Sequence, residues 1–245
     1  LKTIDFTKPL TFQVGKMGKD YQEWVHAPEN YEKRGKSFLL LGKKGSAIEM
    51  TTIAKWWFIP LVWVPILMYK ISLYINAGVY GPLPTLITLF IGFMTWGLIE
   101  YNLHKYLFHY LTSSYWGNTV HFLSHGLHHW DPLDPFRLVF PPVPAILCIF
   151  LPLHLIVHLL RIPQFLGPQY SALIWIGGII GYIQYDLTHY FVHHGGNFRF
   201  ALFGYLRQCH QHHHFVPGGE FLNYGISVPG KFFDFVFGSN FKPRK

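Results

Sequence analysis

Four long apolar stretches dominate this 245-residue chain and limit what it can fold into. The first runs from Trp56 to Ile75, interrupted only by Lys70, and the second covers Leu83 to Ile99 and stops at Glu100. The third lies between Arg137 and Arg161 without a formal charge, and the fourth occupies Pro168 to Tyr185 and stops at Asp186. A helix needs ~20 apolar residues to cross the hydrocarbon of a bilayer. Each stretch approaches that length. The expected fold is an all-α membrane protein with transmembrane helices at about 56–75, 83–103, 138–160 and 168–188. Pro60 and Pro65 in the first, and Pro141, Pro142, Pro144 and Pro152 in the third, predict kinked or shortened helices, which lipid-buried helices tolerate.

Composition supports the membrane reading, because only 13% of residues are charged whereas a soluble domain carries about 25%. Asn76 to Pro84, with Gly78, Gly81 and Pro82, predicts a tight turn between the first two spans, and Ile162 to Gln169, with Pro163, Gly167 and Pro168, predicts another between the last two. Two hairpins result. They place residues 1–55, 104–137 and 189–245 on one side, with 18 of the 20 Lys and Arg residues; Lys70 and Arg161 fall opposite. The positive-inside rule makes the rich side cytosolic, so both termini are expected there. The alternative is a soluble bundle of buried helices, but apolar runs this long are rare in soluble folds. The net charge of +8 lies between the apolar stretches rather than on one amphipathic face, so no nucleic-acid partner is expected. Leu1 to Lys55 is polar and Lys-rich, which does not read as a cleavable leader. Cys148 and Cys209 do not suggest a disulfide framework, and 1–245 reads as a single domain.

The chain carries 16 histidines, and 13 lie in two blocks, each just after an even-numbered span. The first holds His104, His109, His121, His125, His128 and His129; the second holds His189, His193, His194, His210, His212, His213 and His214, with His194 and His212 set apart from the expected ligands. Residues three or four apart share a helix face, so His189 pairs with His193, His125 with His128 and His129, and His210 with His213 and His214. Where two adjacent histidines follow a third, a helix can offer one to each of two metals. The i,i+5 pair His104 and His109 is expected to diverge around its helix and serve different metals. Imidazole suits zinc, copper, iron and nickel alike, so ligand type alone does not name the ion. His121, one turn before His125, reads as support for a ligand, His26 as an ordinary core or surface histidine, and His154 with His158 as packing far from the site.

At these residues the chain resembles the fatty acid hydroxylase superfamily of membrane di-iron enzymes. More narrowly, it is similar to the fatty acid 2-hydroxylases of sphingolipid synthesis, of the plant type without a fused cytochrome domain. The similarity extends to Lys8-Pro9-Leu10, Gln13-Val14-Gly15, Tyr21 to His26, Pro28, Ser114 to Thr119, Arg137 to Pro142, Gly181-Tyr182, Tyr185-Asp186 and Val236-Phe237-Gly238. The resemblance implies that His104, His109, His125, His128, His129, His189, His193, His210, His213 and His214 bind two iron ions, with zinc able to substitute on purification. It also implies O2-dependent hydroxylation at C2 of an acyl chain, free or in a ceramide. Electrons would come from cytochrome b5 and its NAD(P)H-dependent reductase, at the endoplasmic reticulum membrane. Leu127, Cys209 and Gln211-His212 depart from the family's usual residues, and none of them removes a ligand.

Asp186 and Tyr185 lie just before His189 and are candidate catalytic residues, Asp186 by orienting a ligand or touching the substrate head. Asp131 and Asp134 read as turn residues, Pro217-Gly218-Gly219 as a turn, and Lys242 to Lys245 as a basic tail. Two rival readings are a sterol-oxidising member of the same superfamily (C4-methyl oxidase or desaturase) and a membrane zinc transporter. The transporter fits less well, because transport sites sit near the bilayer midplane and these histidines lie beyond the spans.

Overall fold

The computed structural model describes residues 4–26, 38–76, 78, 81–195 and 200–241. Pro28, the tip of the first predicted turn (77, 79 and 80) and the basic tail from Lys242 lie outside the described residues. In chain order the helices are α1 Thr11–Val14, α2 Asp20–His26, α3 Ala47–Met50, α4 Phe58–Asn76, α5 Pro82–Asn102, α6 Tyr115–His121, α7 Leu127–Trp130, α8 Pro142–Ala145, α9 Leu151–Leu159, α10 Ile162–Leu166, α11 Pro168–His194, α12 Ala201–Phe215 and α13 Val228–Val236. No strand occurs among the described residues.

Among the described residues, three helices are long and apolar enough to cross a membrane: Phe58–Asn76, Pro82–Phe108 and Pro142–Leu159. The fourth apolar stretch opens the 27-residue α11, whose second half carries Gln184, Asp186 and histidines. The third helix starts at Pro142 rather than at the expected residue 138. Pro141 and Pro142 have no N–H to donate, and Pro142 takes the first helical position, where none is needed. Before Pro152 the helix widens into a π-turn over Ile146–Phe150, since proline has no N–H to donate to the carbonyl four residues back and its ring crowds that carbonyl. The second predicted turn contains the short α10, entered through Arg161 in the left-handed region at φ 54°.

The central packing is α11 against α5 and α4. It is close because two glycines face backbone. A Cβ on Gly92 would lie 2.3 Å from the Ile174 carbonyl oxygen, and one on Gly177 would lie 2.2 Å from that of Leu89. Small residues let membrane helices approach in this way. Around the crossing, Ile59, Trp63, Trp96, Ala145, Ile179 and Tyr182 form one buried cluster.

A second cluster sits over the histidine-bearing helices. Leu10, Val14, Tyr21, Trp24 and Val25 from the N-terminal segment pack on Phe122, Leu127 and Trp130. This segment is therefore a cap on the first histidine block. The cap is fastened at its edge by Glu49, which accepts from the N–H groups of Leu40, Leu41 and Gly42 and pairs with Arg137 at 3.1 Å. Burial would raise the Glu49 pKa, but those three N–H groups and Arg137 hold it below its usual value.

Candidate metal centre

The ten histidines converge into two groups of five. His104, His109, His125, His129 and His213 form one group, and His128, His189, His193, His210 and His214 form the other; within each, one ring nitrogen per residue lies within 4.8 Å of all the rest. Eight of the ten residues are buried, and His193 and His214 are half-buried.

Helix geometry explains the sorting. His128 and His129 are neighbours and go to different groups, as do His213 and His214, because consecutive residues point about 100° apart on a helix. His125 joins His129 four residues on, and His210 joins His214. His104 and His109 do not diverge as their spacing suggests. In an α-helix an i,i+5 pair is about 140° apart. Here α5 continues as a π-turn over Leu103–Phe108, with the His109 N–H donating to the His104 carbonyl at 3.1 Å, and this wider turn brings both rings into the first group.

The ring nitrogens face each other. In the first group the His125 Nε2 lies 3.0 Å from that of His104, 3.1 Å from His109 and 2.9 Å from His129, and His109 lies 3.1 Å from His213. In the second group the His189–His128, His193–His210 and His214–His210 Nε2 pairs are 2.8, 2.7 and 3.1 Å apart. Two nitrogens held ~2.1 Å from a common ion and a right angle apart are ~3.0 Å from each other.

Hydrogen bonding cannot account for the contacts alone. The Nδ1–H of His104 donates to the Tyr224 carbonyl and that of His213 to the Leu222 carbonyl, so in the neutral rings both Nε2 atoms present lone pairs. His125 has one ring proton at most for three Nε2 neighbours. Protonating the rings is opposed too: burial, then the neighbouring histidines, push the pKa values of His125, His128, His129, His210, His213 and His214 well below the usual 6.5. For His193 burial leads the same effect, lowering it to about 3. Converging neutral lone pairs are a donor set that fits two cations.

The two carbonyls that orient the first group belong to one strapped segment. Glu100 of α5 accepts from the N–H groups of Ile226 at 2.6 Å and Ser227 at 2.9 Å, and also from the Ser227 hydroxyl. Asp234 of α13 accepts from Tyr224 and Gly225 N–H, both at 2.9 Å, and pairs with the buried Lys231 at 3.1 Å. Lys231 also donates to Asn223, which sits at φ 58°. Tyr224, Leu222, Glu100 and Asp234 escape a reading of spacing, since they meet His104 and His213 only through the tertiary fold. The Nδ1 atoms of His128, His210 and His214 find no protein partner among the described residues.

Other sequence candidates fall elsewhere. Asp186 accepts from the Phe140 N–H at 3.2 Å and the Tyr182 hydroxyl at 3.0 Å, which secures the loop before α8. Tyr185 lies between the site and the helix core, its ring 6.0 Å from that of His189 and 5.9 Å from Trp96. His121 joins neither group; its Nδ1 accepts from the Tyr21 hydroxyl at 2.6 Å, and burial lowers its pKa to about 4. His26 packs edge-on to His129 at 5.2 Å, and His212 stacks on Phe241 at 3.9 Å. His154 contacts His158 and Trp175, away from both groups. Asp134 caps its turn through the Phe136 N–H and pairs with Arg137. Gly218, left-handed at φ 78°, makes the expected turn.

Comparison with known proteins agrees with this architecture. The fatty acid hydroxylase family model matches residues 89–239, which include all ten converging histidines. A dihydroceramide fatty acyl 2-hydroxylase of Arabidopsis thaliana is 40% identical over 97% of this chain and 93% of its own length. The ceramide very long chain fatty acid hydroxylase of Schizosaccharomyces pombe is 38% identical over 96% of this chain and 65% of its own length. The solved structure of full-length scs7p, in which only the hydroxylase domain is visible, is 30% identical and superimposes with a TM-score of 0.78 over 100% of this chain and 88% of that one. With the matched region spanning the histidine helices and a shared fold around them, the chain belongs to the fatty acid hydroxylase family.

Proposed function

We propose that the protein hydroxylates C2 of a long fatty acyl chain, free or within a ceramide, in sphingolipid synthesis. The observation that carries this reading is the pair of five-imidazole groups set side by side, in a chain 40% identical to a dihydroceramide fatty acyl 2-hydroxylase. His104, His109, His125, His129 and His213 would hold one iron ion, and His128, His189, His193, His210 and His214 the other. Two adjacent redox ions supply the O2 activation that side chains cannot. In the balanced reaction one oxygen atom replaces the C2 hydrogen as hydroxyl. The other leaves as water, with two electrons and two protons taken up. The electrons come from cytochrome b5 and its NAD(P)H-dependent reductase.

The chain's own groups have distinct tasks. The imidazoles, buried and neutral, would hold the ions through lone pairs without adding negative charge to the site. The Tyr224 and Leu222 carbonyls fix ring orientation and tautomer for His104 and His213. Tyr185, whose ring lies beside His189, would border the reacting carbon, and Asp186 holds Tyr182 and the loop before α8 through the Phe140 N–H. In the membrane, α11 is the fourth span, so that four helices in two hairpins place both termini and the histidine groups on the cytosolic face of the endoplasmic reticulum.

Purified iron-loaded protein with its electron donor, supplied with labelled acyl or ceramide substrate and heavy-isotope O2, tests this by mass spectrometry. A 2-hydroxy product carrying one heavy oxygen is expected. Oxidation confined to sterols would assign the other branch of the superfamily, and full turnover with zinc alone would sink the redox mechanism.

A further inference from the structure

The C-terminal helix α13 carries two opposed faces. Its buried face holds Pro229, Gly230, Lys231 and Asp234, the last two paired to each other and to the segment that orients His104. Its other face is apolar and uncovered: Val228, Phe232, Phe235 and Val236 are 41%, 51%, 73% and 52% exposed. These positions follow i, i+4, i+7, i+8 and form a single stripe. Both charged residues of the helix point inward, so the outward stripe carries no charge.

Contacts with α5 fix the level and direction of α13. Its start is pressed against Gly97, where an added Cβ would lie 2.5 Å from the Pro229 carbonyl carbon, and Gly230 abuts Glu100. Its end reaches Tyr101, whose ring is 5.1 Å from Phe237. All three α5 residues lie within the helix long and apolar enough to cross a membrane, Pro82–Phe108. The 9 residues of α13 span ~14 Å, whereas Gly97 and Tyr101 are ~6 Å apart along α5. The helix therefore crosses its neighbour at roughly 60° and lies nearer the plane of the bilayer than its normal.

We propose that α13 is an interfacial helix whose Val/Phe stripe is immersed in the membrane leaflet bordering the histidine groups. The C-terminal region is then a lipid-bound element, not the wholly cytosolic segment expected from the spans. The occupant of the stripe is lipid because α13 packs on Gly97 in the last turns of a span, where the next residue, Leu98, is itself an exposed apolar side chain. A short amphipathic helix with phenylalanine on one side suits the boundary of acyl chains and headgroups. This inference needs only the membrane setting, and it stands or falls apart from the reaction.

Spin labels attached singly at Phe232, Phe235 and Val236 in a Cys148→Ser background, in the full chain reconstituted into phosphatidylcholine bilayers, provide the test. Collision with O2 should exceed collision with a water-soluble nickel chelate at all three positions, and the order should reverse at a label on the exposed Lys44. Nickel accessibility like that at Lys44 would overturn the proposal, placing the stripe in water. Protection from both reagents would overturn it in favour of a second protein chain. Hydroxyl-radical footprinting of the unlabelled protein guards against misfolded variants. Phe232 and Phe235 should escape oxidation in bilayers while Phe12 reacts, and equal reaction at all three would sink the idea.

Discussion

At the residue scale, the adjacent pairs are the informative feature. His128 and His129 differ in group but share a peptide bond, so replacing them singly should act on different ions. His129→Ala should deplete the first position and His128→Ala the second, each leaving about one ion bound by elemental analysis. If both variants lost the same ion, the grouping would be wrong. Glu100 tests the supporting network. In Glu100→Ala the N–H groups of Ile226 and Ser227 lose a buried acceptor, a loss of about 3 kcal/mol. The expected outcome is a lowered thermal midpoint in detergent together with reduced metal content. Tyr21→Phe strands the buried His121 Nδ1 and should lower stability by about 1–3 kcal/mol, read by the same melt. Spacing made the ten histidines visible, because imidazoles at three- and four-residue intervals betray a helix face. It could not reveal Tyr224, Leu222 or Glu100, whose parts are played by backbone carbonyls or by contacts over 120 residues apart in sequence.

At the element scale, local width and close approach decide the outcome. The apolar stretches were legible as helices, since uninterrupted hydrophobicity of that length has few other solutions. The π-turns were not: nothing in His104 to His109 announces that the helix widens, and an α-helical reading sends the two rings to opposite sides. Inserting one alanine between Tyr106 and Leu107 should carry His109 past its group and cost the first ion, measured as metal per chain. Retention of both ions would show that the π-turn is not what aligns them. Similarly, the crossing of α5 and α11 rests on backbone against backbone. Gly177→Ala places a methyl 2.2 Å from the Leu89 carbonyl oxygen, so α11 must shift. A destabilisation of about 1–3 kcal/mol is expected from such overpacking, visible as a lower melting midpoint without loss of helical circular dichroism. The prolines of the third stretch did signal its irregular start. What they did not signal was that Asp186 would secure the loop before it, a role that a carboxylate near a histidine box conceals.

At the scale of the whole molecule, the two groups tie together elements that are otherwise linked only by packing. The first draws on the end of α5, the α6–α7 segment and α12; the second draws on α7, α11 and α12. Ions bound at both positions stabilise the native state by mass action, since the unfolded chain offers no equivalent site. Chelation should therefore lower the melting midpoint of the whole protein in one cooperative step, and adding ferrous iron back should restore it. A midpoint indifferent to chelator would show that the groups bind no ion of consequence. The N-terminal cap is the least legible part of the architecture. Leu10 to Val25 looks like a polar approach to the membrane, yet its sparse apolar residues find Phe122 and Trp130 and close over the first block.

Because His128 is bonded directly to His129, and His213 to His214, the interval between the two ion positions is written into covalent backbone rather than left to flexible side chains. A reactant bridging that interval would meet a gauge of fixed width, already cut before either ion arrives.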